Sequence, residues 1–176
     1  GKATASRMAD ICARTKTGWG ASRANYAAQL VAERLTGKVA DSYSNAAMEW
    51  GNATEAEARA VYAFFRDVTV DAVDFVPHPT IAMSGASPDG CIGTDGLVEI
   101  KCPNTATHID TLLGRSVPEK YILQMQWQMA CTARQWCDFV SYDPRMPETL
   151  RLFVKRVNRD DVRILVLEDK VREFLS

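Results

Sequence analysis

Ser87-Pro88-Asp89-Gly90, followed by Gly96-Leu97-Val98-Glu99-Ile100-Lys101, is the stretch on which the reading of this chain turns. Proline and glycine around Asp89 mark a turn, and the apolar run after Gly96 marks a strand. On a strand, alternate side chains share a face, so Glu99 and Lys101 point together while Ile100 points the other way. A hard divalent cation takes carboxylate oxygens and backbone carbonyls, and Asp89, Glu99 and the Ile100 carbonyl can supply that set. A lysine beside such an ion can polarise or position a water for attack on a phosphate. A glycine turn followed by a strand that ends in an ordinary Glu and Lys fits these residues equally well. Spacing alone leaves both readings open.

Further stretches bear on the choice. Upstream lies Trp50-Gly51-Asn52-Ala53-Thr54-Glu55-Ala56-Glu57-Ala58-Arg59. Downstream, Cys102-Pro103 extends the strand, and Tyr121-Ile122-Leu123-Gln124-Met125-Gln126 and Tyr142-Asp143-Pro144-Arg145-Met146 follow in order. Together these resemble the PD-(D/E)XK nuclease core in its lambda-exonuclease (viral recombinase) branch, with its W-G-x3-E-x2-A-R helix and its E-x-K-C-P strand. The resemblance runs from about residue 4 to about residue 157.

The chain has 176 residues, enough for one domain with its own core, and we read residues 1–176 as a single nuclease domain. No apolar run approaches membrane-spanning length and no signal-peptide pattern opens the sequence, so a cytoplasmic protein with no membrane partner is expected. The five cysteines form no C-x2-C pair, which argues for reduced thiols and against a zinc ribbon or a disulfide framework. The net charge of −1 hides a strong asymmetry. Residues 1–40 carry seven basic against two acidic side chains, residues 41–100 two against ten, and residues 101–163 ten against seven. Acidic residues gathered between basic flanks fit a metal site beside a phosphate-binding surface, although charges on solvated faces also cluster by chance.

The pattern predicts α/β architecture, a mixed central sheet flanked by helices. Ser6 is expected to cap a first helix reaching about Arg14, and a second helix ends near Gly37. Residues 45–67 read as helix with an interruption possible at Gly51, and Thr54 with Glu57 reads as a capping box. Strands are expected over 69–76, 80–86, 90–93 and 96–102, then a helix opened by Pro118 and running to about Thr132. Strands near 136–142 and 149–157 make a hairpin about the Asp143–Glu148 turn. Asn158 is expected to cap a last helix whose apolar surface comes from Val162, Leu165, Val166 and Leu167, then Val171 and Leu175.

The resemblance implies roles for named residues. Asp89, Glu99 and the Ile100 carbonyl would hold Mg²⁺ (Mn²⁺ substituting), with Lys101 as the catalytic lysine assisting the attacking water. Glu55 would add an acidic group near the metal, although its i,i+4 pairing with Arg59 explains it equally as helix surface. Glu57 is set aside as a cap. Tyr121 and Gln124, one helical turn apart, would look toward the active site, with Gln126 and Gln128 weaker candidates. Ser6, in Thr4-Ala5-Ser6, and Ser87 would bind a terminal 5′-phosphate, with ordinary capping and turn roles as the competing explanation. The family pattern also has an arginine two residues before the position of Gly1, which this sequence does not contain, and that leaves the phosphate pocket open. His78 and His108 show no ligand geometry, and His78, flanked by prolines, is expected in a surface loop. The expected activity is a metal-dependent 5′-to-3′ exonuclease on double-stranded DNA ends, leaving 3′ overhangs for phage-type recombination. Partners would be a homotrimeric ring of this chain and a single-strand annealing protein. The rival readings are an endonuclease of restriction or repair type and a non-catalytic DNA-binding assembly subunit.

Overall fold

The computed structural model describes residues 1–39 and 45–176. Strand β1 (Ala3–Thr4) enters a 3-10 turn (Ala5–Arg7) and the short α1 (Met8–Ile11). A small hairpin, β2 (Arg14–Thr15) and β3 (Gly18–Trp19), precedes two long helices, α2 (Ala21–Thr36) and α3 (Ala46–Arg66). Strands β4 (Val76–Pro77), β5 (Ser84–Ala86), β6 (Gly90–Ile92) and β7 (Gly96–Lys101) lead to α4 (Thr105–Gly114) and α5 (Glu119–Thr132). Then come β8 (Trp136–Tyr142), a 3-10 turn (Glu148–Leu150), β9 (Leu152–Asn158) and α6 (Asp161–Leu175).

The expected mixed sheet is present as β6-β7-β8-β9, with β7 and β8 parallel and the other two pairings antiparallel. A parallel neighbour needs a long crossover, which α4 and α5 provide. A second small sheet, β1-β5-β4, stands apart from it. Side chains alternate across β7 as the period of two requires. Val98 and Ile100 join Ala58 and Tyr62 of α3 in one apolar cluster, whereas Leu97 packs with Met125 and Met129 of α5. Glu99 and Lys101 therefore face α5.

Helix α3 is bolted to β8. The Tyr62 hydroxyl donates to Asp138 Oδ2 at 2.8 Å, and Arg156 closes on the same buried carboxylate at 2.8 and 3.1 Å. Burial, and then the Asp138 charge, push the Tyr62 hydroxyl well above its usual pKa. One turn along the sheet, the Tyr142 hydroxyl donates to Glu57 Oε1 at 2.6 Å. Replacing Asp138 by alanine strands the Tyr62 hydroxyl and uncouples two arginines, Arg156 and Arg66, the latter 3.6 Å from Oδ2. We expect it to cost about 3–5 kcal/mol in urea unfolding, as breaking a buried ion pair does.

Several local expectations are overturned. Ser6 does not cap a helix: it lies inside the 3-10 turn, and α1 ends at Ile11 rather than near Arg14. Gly51 does not interrupt α3, whose cap is Asn45, its side chain accepting from Met48 N. Thr54 and Glu57 are consequently interior positions and no capping box exists; Thr54 Oγ1 donates back to Trp50 O at 2.7 Å. The expected strand at 69–76 is mostly a loop, joined to β6 by the Asp71–Cys91 bridge, and only Val76 of it enters a strand, the short β4 that pairs with β5. Of 80–86 only Ser84–Ala86 is strand, the preceding residues turning through Met83 at φ 60°. Helix α4, capped by Asn104, was not anticipated. The last helix is capped by Asp160, not Asn158. It buries Ile164, Leu167 and Val171, leaving Val162, Leu165 and Val166 exposed. His78 is not a surface residue. It is buried, stacked on Trp127 at 4.7 Å, and its Nδ1 accepts from the backbone of Thr80 and Ile81. The expected C-cap holds, with Gly37 at φ 67°. All five cysteines are free thiols. No helix among the described residues is long and apolar enough to cross a membrane.

Candidate active site

Glu99 is the centre of the site. Strand β7 buries it to 1% exposure, facing α5. An isolated carboxylate so buried is costly unless hydrogen-bonded. Helix α5 supplies the partners: Gln124 Nε2 donates to Oε1 at 2.7 Å and Gln128 Nε2 donates to Oε2 at 2.6 Å. Lys101 Nζ makes a third contact, 2.5 Å from Oε1. The strand's alternation puts Glu99 and Lys101 on one face, and the helix period puts both glutamines on the face opposite.

Asp89 completes the pair. It follows β5 through Ser87 and Pro88, and its Oδ2 accepts from the Ile100 amide at 2.6 Å. Burial, then the Glu99 charge, push its pKa up to about 7, against the lowering effect of the Ile100 hydrogen bond and Lys101. For Lys101, burial alone would favour the neutral amine. The Glu99 contact and Asp89 outweigh it and hold the ammonium above its ordinary pKa.

Glu55 sits on the exposed edge of α3, paired with Arg59 at 2.8 Å. The pair lines an open cleft of about 440 Å³ with Asn52 and Ala56. Glu55 is near enough for its charge to raise the pKa of both Asp89 and Cys102. Tyr121 stacks on Phe139 at 5.5 Å and lies under Lys101 Nζ at 4.9 Å, so it walls the lysine and touches neither carboxylate. Ser6 and Ser87 are both exposed, each two residues beyond the paired ends of β1 and β5, where Thr4 aligns with Gly85. Ser6 lies on a depression shared with Lys2, Thr4 and Arg7.

Sequence reasoning undervalued Gln128. It is one turn from Gln124 on the same face, a spacing that was there to be read. Gln126 turns away, bonding Asn158 O and Asp160 N at the corner before α6. His108 is structural, held between Ser141 Oγ and Leu150 O.

Among the described residues, no three His, Cys, Asp or Glu side chains converge into a ready cage. The donors are instead two carboxylates and the Ile100 carbonyl. These fit a hard divalent cation: burial and then the Glu99 charge raise Asp89, and a cation between the two acids would offset both.

The profile of the YqaJ-like viral recombinase domain matches residues 1–135. The chain belongs to the YqaJ-like viral recombinase family. The crystal structure of the alkaline exonuclease LHK-Exo from Laribacter hongkongensis is 51% identical, with a TM-score of 0.91 over 99% of this chain and 86% of that one. LHK-Exo in complex with dAMP is 52% identical, with a TM-score of 0.92 over the same shares. A phage-related exonuclease from Haemophilus somnus 129PT shares the fold at 16% identity, with a TM-score of 0.78 over 98% of this chain and 91% of that one. No curated protein sequence matches the chain. The fold of this recombinase-family chain is thus of the PD-(D/E)XK class, as the resemblance implied.

Proposed function

We propose that this protein is a Mg²⁺-dependent 5′-to-3′ exodeoxyribonuclease acting on double-stranded DNA ends. The observation that carries the reading is the buried Glu99, held by two amides and an ammonium beside Asp89. Such a pair of acids has little structural use and a clear electrostatic one. Asp89, Glu99 and the Ile100 carbonyl would hold the ion. When bound, it supplies positive charge to the scissile phosphate and acidity to a water.

The chain's own residues do the rest. Lys101, kept protonated by Glu99, presents N–H donors to the oxygens on which charge develops. Gln124, half a site away from solvent at 8% exposure, holds Glu99 and offers its second amide hydrogen toward the substrate. Tyr121 keeps Lys101 over the site. Ser6, on a depression with Lys2 and Arg7, and the exposed Ser87 suit a terminal 5′-phosphate. Glu55 would join the acidic group once released from Arg59. The dAMP held by LHK-Exo supports a deoxynucleotide product here. The family likeness extends the proposal to a homotrimeric ring in the bacterial cytoplasm, encoded by phage or prophage. The ring would hand 3′ overhangs to a single-strand annealing protein.

The test is digestion of linear duplex DNA, labelled separately at its 5′ and 3′ ends, with a covalently closed circle alongside. Release of 5′-terminal nucleotides with Mg²⁺, the circle intact, is expected. Cutting of the circle would instead make the protein an endonuclease, and no Mg²⁺-dependent loss of either DNA would refute a nuclease.

A further inference from the structure

The two oxygens of Glu99 are not held alike. Oε1 has two donors, the buried Gln124 Nε2 and Lys101 Nζ, and Lys101 reaches toward solvent with 28% of its side chain exposed. Oε2 has, among the described residues, one donor, Gln128, which is fully buried. Removing Gln124 leaves Oε1 with Lys101. Removing Gln128 leaves Oε2 with no donor among the described residues, at a fully buried position.

The far end of Gln128 makes the same point independently. Its own carbonyl, Oε1, is buried without a hydrogen-bond partner among the described residues. A buried, unpartnered carbonyl is destabilising, and an apolar side chain at this position would avoid it. In exchange for that cost, the glutamine donates one hydrogen bond, and the bond goes to Glu99.

We infer that Gln128 is a positioning residue: it fixes the inner oxygen of Glu99 so that the outer oxygen is the one presented to the divalent ion, and thereby sets the affinity of the site for that ion. The inference rests on the metal-dependent reading above. Gln124 and Lys101 share the outer oxygen and yield to the ion there, whereas Gln128 stays in place throughout. Losing the amide at 128 should therefore weaken ion binding, and losing the amide at 124 should affect chemistry more than ion binding.

Mn²⁺ binding to the protein alone, with no DNA, reads this directly through the electron paramagnetic resonance signal of the free ion. Gln128→Met, nearly isosteric but unable to donate, is expected to weaken Mn²⁺ binding by about 10- to 100-fold, the usual loss when a group orienting a metal ligand is removed. Gln124→Met should bind Mn²⁺ nearly as the unaltered protein does. In a Glu99→Gln background, Gln128→Met should add no further loss, because its effect passes through Glu99. If Gln128→Met does not fold, Gln128→His, which keeps an N–H donor, should retain most of the affinity. Undiminished Mn²⁺ affinity in Gln128→Met, equal losses in the two Met variants, or loss of affinity in a folded Gln128→His each overturn the inference while the nuclease reading stands. If the unaltered protein binds no Mn²⁺ at all, the metal reading itself falls, and this inference with it.

Discussion

Lys101→Ala is expected to lower turnover on linear duplex DNA by about 100- to 1000-fold, the range seen when one preorganised donor to a developing oxyanion is removed. The reason lies in its protonation. With Glu99 2.5 Å away and Asp89 close by, the Lys101 ammonium is held above its ordinary pKa and cannot serve as a base near neutrality. Its contribution is a fixed positive charge with hydrogens to donate. Two results should follow besides the loss of rate. The pH–rate profile of the unaltered enzyme should show no limb that Lys101→Ala removes. Extra Mg²⁺ should not restore Lys101→Ala, because Asp89 and Glu99 remain. Single-turnover rates over a metal titration give the measurement. A variant retaining more than a tenth of the normal rate would remove Lys101 from the chemistry.

The second large effect is on stability. Asp89 ionises near 3.8 in an unfolded chain and at about 7 in the folded, metal-free protein, where burial and Glu99 oppose its charge. Below pH 4 both states hold the proton and Asp89 costs nothing. Between pH 4 and 7 the unfolded chain releases its proton while the fold retains it, so stability falls as pH rises. Above pH 7 the cost is fully present, up to about 4 kcal/mol for a shift of this size. Asp89→Asn keeps an oxygen for the Ile100 amide and removes the titration. In EDTA at pH 8 it should therefore be the more stable protein while being inactive, and the advantage should vanish by pH 4. Mg²⁺ should recover the difference in the unaltered protein at pH 8 and leave Asp89→Asn unmoved. Urea unfolding at the two pH values decides it: an advantage independent of pH would mean that Asp89 is not opposed by its neighbours.

How far the sequence could be read depended on whether a signal was local. β7 was legible because its turn, apolar run and paired charges sit within a few residues, and its alternation could be projected onto one face. Helix spacing put Gln124 on one face with Tyr121, and the family resemblance implied that this face looks toward the site; its contact with Glu99 comes from the structure. Gln128 obeys the same spacing, but an amide four residues before a helix end carries no mark of what lies opposite it. Where prediction failed, tertiary packing had overridden local chemistry. A Thr54–Glu57 pattern means a helix start only if the helix starts there, and α3 was already under way from Asn45. Thr-rich α4 has modest helix propensity and forms over the sheet, with His108 anchored to Ser141 and Leu150. The valines at 68, 70 and 73 pack into the core from a loop, so apolar character there did not mean pairing. His78 looked exposed because prolines flank it, yet Trp127 and the backbone of Thr80 and Ile81 enclose it.

Helix α5 has a practical bearing on anyone wishing to redesign this protein. From Gln124 to Cys131 every residue is buried: Trp127, Ala130 and Cys131 pack toward the N-terminal segment, and Met125 and Met129 toward the sheet. A helix enclosed on all sides has no neutral face on which to accumulate changes. Random libraries spread over α5 would mostly return inactive clones, and would not tell a lost amide from a misfitted core. Diversity is better spent on α2, where Val31 and Leu35 stand in solvent, with α5 left as written.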